Sequence, residues 1–153
     1  ATFRLSGARK LRLLLSQSGS VAIESRPLPP APVEPVAVRV VPLPVERDDF
    51  RLRHKTSDRG FYDEARSRSG RFEILFEDRD GYLTEGSFTH IFVARDGRLL
   101  TPPLARGLLP GILREQLIDD GEAEEAELRV ADLADGFFIG NAVRGLMRAL
   151  LIE

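Results

Sequence analysis

The run DGYLTEGSFTHIFVARDGRLLT (residues 80–101) decides the fold, because it sets two Asp-Gly pairs among short apolar segments. Asp-Gly is one of the strongest short-range signals for a hairpin turn. The segments beside the two turns, Tyr82–Thr84, Thr89–Ala94 and Arg98–Thr101, have the composition of strands. We therefore predict short strands joined by hairpin turns in the middle of the chain.

Upstream of this run the pattern changes twice. Residues 10–26 alternate apolar and polar side chains around Ser16-Gln17-Ser18-Gly19 and predict a separate hairpin. Residues 27–35 contain five prolines, which cannot donate hydrogen bonds to a sheet, and we interpret them as a linker. The further elements predicted here are a strand at Val36–Val41, a helix at Gly60–Ser67 with Asp58 as its N-cap, and a strand at Phe72–Phe76.

Downstream, Pro110 stands where a proline at the first helical position would stand. The elements predicted after it are a helix at Ile112–Ile118, a strand at Glu124–Val130, a helical turn at Ala131–Ala134, and apolar runs at Phe137–Ile139 and Leu146–Ile152. We expect an α+β protein with three parts: a hairpin in residues 1–26, a linker in 27–35 and a large domain in 36–153.

The composition excludes several classes of function. The 153 residues are 42% hydrophobic and 30% charged, with a net charge of −2, which argues against binding nucleic acid through bulk charge. No run of about 18 apolar residues is present, so we expect no transmembrane helix. The chain has no cysteine and two histidines, which argues against a metal site. It has no secretory signal pattern, and we expect a cytoplasmic location.

Only two lysines, Lys10 and Lys55, could supply an amine nucleophile. Lys55 lies in Arg51-Leu52-Arg53-His54-Lys55-Thr56, where neighbouring positive charge favours the neutral amine that attacks a carbonyl. Taken alone, the segment is more typical of a solvated basic loop. Lys10 lies at the start of a strand with no accompanying motif.

Three further segments contain candidate binding residues. Glu85 is followed at once by Gly86 and Ser87, small residues that would let a flat ligand approach the carboxylate. Residues 107–112 (GLLPGI) lead into a helix whose free N–H groups could bind phosphate, and residues 140–145 (GNAVRG) follow an apolar strand. Taken alone, the Glu85 and 107–112 segments are more typical of an ordinary turn and a plain entry to a helix, the 140–145 segment could be a simple bulge, and His90 alone is most simply a satisfied, half-buried side chain.

Together, the order and spacing of four segments resemble the fold-type IV pyridoxal-phosphate enzymes, the family of class IV aminotransferases and 4-amino-4-deoxychorismate lyases. The segments are HKTSDRGFYDEAR (residues 54–66), GYLTEGSFTHIFV (81–93), GRLLTPPLARGLLPGILRE (97–115) and FFIGNAVRG (137–145). The H-K-T context and the closing G-N-A-V-R-G are most similar to the lyase branch. The resemblance implies the large pseudo-barrel domain of that fold, preceded by a hairpin from the small N-terminal domain.

The resemblance also assigns roles to individual residues. It implies that Lys55 binds pyridoxal phosphate covalently and moves protons, and that the carboxylate of Glu85 pairs with the pyridine nitrogen. It places Gly111, Ile112 and Leu113 at the phosphate, together with Asn141 and Ala142 at a second turn on the phosphate side.

The activity implied first is a 4-amino-4-deoxychorismate lyase of folate synthesis, which releases pyruvate and 4-aminobenzoate from a small-molecule amine substrate. A class IV aminotransferase for branched-chain or D-amino acids is the second hypothesis, and a truncated, non-catalytic member is the third. The family also implies a homodimer, with no nucleic-acid or membrane partner.

The sequence departs from the family pattern at several positions. Leu113 and Ala142 replace residues that often carry a hydroxyl group, and His90 replaces a common asparagine. The arginine motif of the family's N-terminal part has no counterpart here, so we expect that this part of the fold is absent from the chain.

Overall fold

A computed structural model describes residues 7–152 of the chain. The chain divides into two compact units, and the division falls between Pro32 and Val33. Each unit is organised around its own sheet.

The first unit is a single hairpin. Strand β1 (Arg9–Leu15) pairs antiparallel with β2 (Val21–Pro27), and Leu13 lies opposite Ile23 across the pair. The serines of the turn hydrogen-bond to one another and to the main chain, so the turn is held by local contacts. This unit confirms the hairpin predicted for residues 10–26.

The second unit contains an eight-stranded mixed sheet and two α-helices. Its strands are β3 (Val36–Pro42), β4 (Glu73–Glu77), β5 (Leu83–Gly86), β6 (His90–Arg95), β7 (Arg98–Thr101), β8 (Ala123–Glu125), β9 (Phe137–Asn141) and β10 (Gly145–Leu151). Its helices are α1 (Gly60–Ser69) and α2 (Ile112–Asp119), with short 3-10 helices at Phe50–Leu52, Leu104–Arg106 and Val130–Leu133. The α+β class predicted from the sequence is confirmed.

The eight strands form a curved sheet, a half-barrel. The order is β5-β4-β3-β10-β9-β6-β7-β8, and β3 is parallel to both of its neighbours. The N–H of Leu83 in β5 donates to the carbonyl of Leu128, which follows β8, at 2.8 Å. The first strand of the sheet therefore meets the chain that leaves its last strand, as it does in a curved sheet approaching closure.

Three apolar clusters stabilise this unit. The largest fills the inside of the half-barrel, with Leu75, Ile91 and Ile139 fully buried within it. A second cluster packs Tyr62 of α1 against Ile74 and Phe76 of β4, and a third packs α2 against β6 and β9. Because successive side chains of a strand point to opposite faces, β4 contributes to two clusters and is buried along most of its length.

Most predicted element types are confirmed, but several boundaries are wrong. Arg59, not Asp58, precedes α1 as its N-cap, because the Asp58 carboxylate faces Arg51 at 3.3 Å instead. Helix α2 has Gly111 as its N-cap in an extended conformation, so Pro110 lies before the cap rather than at the first helical position. The strand observed there is Ala123–Glu125, so only Glu124 and Glu125 of the predicted strand 124–130 lie in a strand.

No helix within residues 7–152 is long and apolar enough to cross a membrane. The same residues contain no cluster of His, Cys, Asp and Glu side chains that could hold a metal ion.

Candidate active site

Glu85 lies at the centre of the candidate site. It occupies the buried strand β5, and its side chain is 3% exposed. The phenol of Tyr62 donates to Oε1 at 2.6 Å, and the main-chain N–H of Leu109 donates to Oε2 at 3.2 Å. These contacts join the carboxylate to α1 on one side and to the loop before α2 on the other.

Burial raises the pKa of Glu85 from an ordinary 4.5 to about 7, because a charged carboxylate is poorly solvated there. The hydrogen bonds from Tyr62 and Leu109, and the positive charges of Arg59 and Lys55, oppose this rise. Near neutral pH the carboxyl group can therefore either hold a proton or release it to a basic partner.

Arg59 and Tyr62 form a stacked pair beside the carboxylate. The guanidinium of Arg59 lies 4.1 Å from the centroid of the Tyr62 ring, and its Nη2 donates to the carbonyl of Ser87 at 2.6 Å. Burial, together with the negative charge of Glu85, raises the pKa of Tyr62, so the phenol remains a donor. The Nη1 atom of Arg59 is buried and has no hydrogen-bond partner among the described residues.

Lys55 lies in the irregular segment between the 3-10 helix at residues 50–52 and α1, and its side chain is exposed. Its charge lowers the pKa of Glu85 and also that of His90. The structure therefore brings the candidate amine within electrostatic reach of two buried groups that lie on different strands.

His90 lies beneath the first residues of α2. It is 7% exposed, and burial, with the charges of Arg114 and Lys55, lowers its pKa to about 4, so the imidazole is neutral at neutral pH. A Cβ atom on Gly111 would collide with the imidazole ring, so the main chain at the start of α2 approaches His90 closely. His90 is more deeply buried than we expected, and its Nδ1 has no partner within residues 7–152.

The turn after β9 lies beside the same helix end. A Cβ atom on Gly140 would come within 2.9 Å of Leu113 Cδ2, and Gly140 pairs with His90 across β9 and β6. Asn141 donates to the carbonyl of Phe88 at 3.0 Å and accepts the N–H groups of Val143 and Arg144. The two segments predicted to lie at the phosphate, residues 111–113 and 140–142, are thus neighbours. Ile112 and Ala142 are exposed.

Two arginines hold the loop that leads into α2. Arg106 pairs with Asp78 and Glu127, and its guanidinium lies 3.8 Å from the Tyr82 ring centroid. Arg114 is 2% exposed, donates to the carbonyl of Pro102 at 2.9 Å and pairs with Glu125. These contacts fix the start and the middle of the loop that presents the N–H of Leu109 to Glu85.

Sequence reasoning did not single out Arg59, Tyr62 or Glu73. Glu73 lies in the buried strand β4, and its carboxylate accepts hydrogen bonds from Ser87 and Thr89, close to Glu85. A glutamate in the apolar run FEILF was the available signal for Glu73, since a buried charge needs partners. Nothing in the sequence singled out Arg59 and Tyr62 from the other polar residues of α1.

Comparisons with known proteins identify two relatives that align with most of this chain. The chain is 26% identical over 94% of its length to a fission yeast (Schizosaccharomyces pombe) protein provisionally named an aminodeoxychorismate lyase. It is also 26% identical over 91% of its length to the aminodeoxychorismate lyase of Saccharomyces cerevisiae. The chain spans 67% of the first of these relatives and 50% of the second.

A solved structure has a similar fold. The crystal structure of a protein from Mesorhizobium loti, provisionally named an amino-acid aminotransferase, superimposes with a TM-score of 0.86 at 38% identity. The alignment covers 94% of this chain and 73% of that one. The fold expected from the resemblance is therefore confirmed.

The family assignment rests on a match that covers almost the whole chain. The model of the amino-transferase class IV family matches residues 2–152. The chain therefore belongs to the class IV aminotransferases, a family of pyridoxal-phosphate-dependent enzymes.

Proposed function

We propose that this chain binds pyridoxal 5'-phosphate and provides the catalytic domain of a 4-amino-4-deoxychorismate lyase. The observation that carries the proposal is the buried carboxylate of Glu85, with a pKa near 7, within reach of the charge of Lys55 and hydrogen-bonded to the loop before α2. A carboxyl group of this kind suits a partner that is itself a weak base, as a pyridine nitrogen is.

The residues present fit that cofactor in chemistry. The first N–H groups of α2 have no partner within their own helix and favour an anion, and Gly111 and Gly140 let the main chain there pack closely against His90 and Leu113. Leu113 and Ala142 bring no hydroxyl group, so main-chain N–H groups and the side chain of Asn141 would make the polar contacts to the phosphate.

When bound, the cofactor supplies an electron sink that stabilises a negative charge on the carbon next to the substrate nitrogen. In our proposal the Nζ atom of Lys55 would hold the cofactor and, once the substrate amine has displaced it, would accept the proton from that carbon. Glu85 keeps a proton at the ring nitrogen, and Tyr62 orients the carboxylate by donating to Oε1. Loss of pyruvate from the substrate then yields 4-aminobenzoate.

An amino-acid aminotransferase, acting on branched-chain or D-amino acids, is the second candidate. The 38% identity to the Mesorhizobium loti protein favours it, whereas the two yeast relatives favour the lyase. The two activities differ in one requirement: the lyase releases pyruvate without a keto-acid acceptor, and the aminotransferase needs one. A non-catalytic role is the third candidate, and it predicts no covalent attachment at Lys55.

The first experiment is reduction of the protein with borohydride in the presence of pyridoxal phosphate, followed by peptide mapping. We expect a reduced adduct on Lys55, its complete loss in Lys55→Ala, and no change in Lys10→Ala, which removes the other lysine. Label on Lys10 alone, or none, would contradict the proposal and favour the non-catalytic role. Where the adduct forms, pyruvate release without an acceptor distinguishes the lyase from the aminotransferase.

We also propose that the chain acts as a homodimer in the cytoplasm, as the family resemblance implies. Sedimentation of the purified protein tests the first statement, and a monomer at micromolar concentration would contradict it.

A further inference from the structure

Glu73 is the most completely satisfied buried carboxylate of the described residues, and it touches none of the residues assigned to the cofactor. It is fully buried in β4. Its Oε1 accepts the N–H of Ile74 at 2.9 Å, and the N–H and hydroxyl of Ser87 at 3.1 and 2.5 Å. Its Oε2 accepts the N–H of Phe88 at 3.1 Å and the hydroxyl of Thr89 at 2.9 Å.

Four of these five donors belong to residues 87–89, the loop that joins β5 to β6. The loop wraps so closely around the carboxylate that a Cβ atom on Gly86 would lie 2.9 Å from Glu73 Oε2 and 2.6 Å from Thr89 Oγ1. The loop therefore folds around the carboxylate of Glu73. This close packing explains why a glycine follows Glu85, because a side chain there would collide with Glu73 and Thr89.

The carbonyl groups of the same loop face the candidate site. The carbonyl of Ser87 accepts Arg59 Nη2 at 2.6 Å, and Arg59 stacks on Tyr62, which donates to Glu85. The carbonyl of Phe88 accepts Asn141 Nδ2 at 3.0 Å. The loop at residues 87–89 thus holds two side chains of the candidate site, Arg59 and Asn141, and Glu73 holds the loop.

We propose that Glu73 is a positioning residue: by holding residues 87–89, its carboxylate places Arg59 beside Glu85 and Asn141 beside the start of α2. This inference rests on the proposed function, because it assigns Glu73 a role in arranging that same cofactor site. Glu73 itself contacts neither the substrate nor the cofactor.

The test compares Glu73→Gln with Glu77→Gln, which makes the same change four residues further along β4. Glutamine keeps the size of the side chain but replaces one acceptor oxygen with an NH2 group, which cannot accept an N–H. In the protein without cofactor, we expect hydrogen exchange at the amides of Ser87 or Phe88 to accelerate by about tenfold or more in Glu73→Gln. The amide of Ile139 should stay protected, which shows that the sheet is intact.

The second measurement uses the protein loaded with pyridoxal phosphate. We expect Glu73→Gln to weaken cofactor binding by about tenfold and to shift, by about half a pH unit or more, the midpoint at which the visible band of the cofactor changes. A purely structural residue would lower the melting temperature without moving that midpoint. Glu77→Gln should change neither quantity.

Each outcome decides between the two proposals. Wild-type protein without a reducible adduct at Lys55 would overturn the proposed function and, with it, the cofactor-positioning role of Glu73. A normal wild-type adduct with an unchanged midpoint and affinity in Glu73→Gln would overturn the positioning role alone. If Glu73→Gln does not fold, Thr89→Val provides the test, because it removes one loop donor with little change in shape. It should shift the pH midpoint of the cofactor band in the same direction but by less. No shift in Thr89→Val would overturn the inference.

Discussion

Glu73 and Glu85 are two buried carboxylates of one sheet, and their surroundings differ in the number of hydrogen bonds that each accepts. Both side chains are buried in adjacent strands of one sheet, and burial raises the pKa of both. Glu73 accepts five hydrogen bonds, four of them from a single loop, whereas Glu85 accepts two, one of them from a phenol. Two carboxylates with similar burial therefore differ in how many fixed donors surround them.

The difference has a simple physical origin. Hydrogen bonds to the charged form compensate a carboxylate for the water it loses, and a full set of them leaves nothing to offer a ligand. Glu85 instead keeps unused acceptor capacity next to the positive charges of Arg59 and Lys55. The Glu85 carboxylate can therefore accept a further hydrogen bond or pair with a positively charged group.

The largest difference between the two carboxylates should be found in stability. We expect Glu73→Ala to lower the free energy of unfolding by about 3–5 kcal/mol, because it leaves five donors buried without an acceptor. Glu85→Ala leaves two donors without an acceptor, so its loss should not exceed about 2 kcal/mol. Urea denaturation of both variants at pH 8 measures the difference. Equal losses would mean that the donors around Glu73 do not determine its role.

The second prediction concerns the pH dependence of Glu85. Its pKa in the folded protein, about 7, lies above the ordinary 4.5, so the folded state binds the proton more tightly. The stability contributed by this group is full below pH 4.5 and is lost as the pH rises through 7. Because the shift corresponds to about 3 kcal/mol at most, Glu85→Gln should gain up to that amount at pH 8 relative to wild type and little at pH 5.

Denaturation curves of the cofactor-free protein at pH 5 and pH 8 measure this change in the free energy of unfolding. The raised pKa of Glu73 contributes the same slope to wild type and variant, so it cancels in the comparison. Glu77→Gln is the matched control and should follow wild type at both values. An equal effect of Glu85→Gln at pH 5 and pH 8 would show that Glu85 titrates normally.

The smallest effect should come from removing one donor of Glu85. In Tyr62→Phe the pKa of Glu85 should rise above 7, because the hydrogen bond from the phenol lowers it. The cost in stability should be about 1 kcal/mol. Titration of the Glu85 carboxyl carbon by NMR measures the pKa, and Tyr82→Phe changes the chain's other tyrosine as a control. A pKa that stays near 7 in Tyr62→Phe would leave Tyr62 with a packing role only.

The local signals of the sequence were sufficient for most of the elements. Asp80-Gly81 and Asp96-Gly97 predicted two turns that the structure places between antiparallel strands, since these residues adopt the required backbone conformations readily. The boundary errors at Asp58 and Pro110 have a different origin. Asp58 pairs with Arg51, and Gly111 is extended and lies against His90, so at both helix starts these residues make contacts outside the helix that their local sequence does not reveal.

The residues of the candidate site also fall into those that the sequence indicated and those that only the structure revealed. Lys55, Glu85 and the glycine-containing turns were selected on the sequence, because amines, carboxylates beside small residues, and helix entries have recognisable chemistry. Arg59, Tyr62 and Glu73 were not selected, because their roles depend on the groups they meet across the fold. No local pattern reveals that a phenol on α1 donates to a carboxylate on β5, 23 residues away.

The sequence by itself therefore determined the kinds of elements in this protein and the chemical groups available to its site. Both depend on local preference: which residues turn, which alternate in a strand, and which carry an amine or a carboxylate. Tertiary structure alone decided which of two buried glutamates has a full set of hydrogen-bond donors and which keeps unused acceptor capacity. The reason is that hydrogen bonding and solvation of a buried charge depend on neighbours brought together from distant parts of the chain.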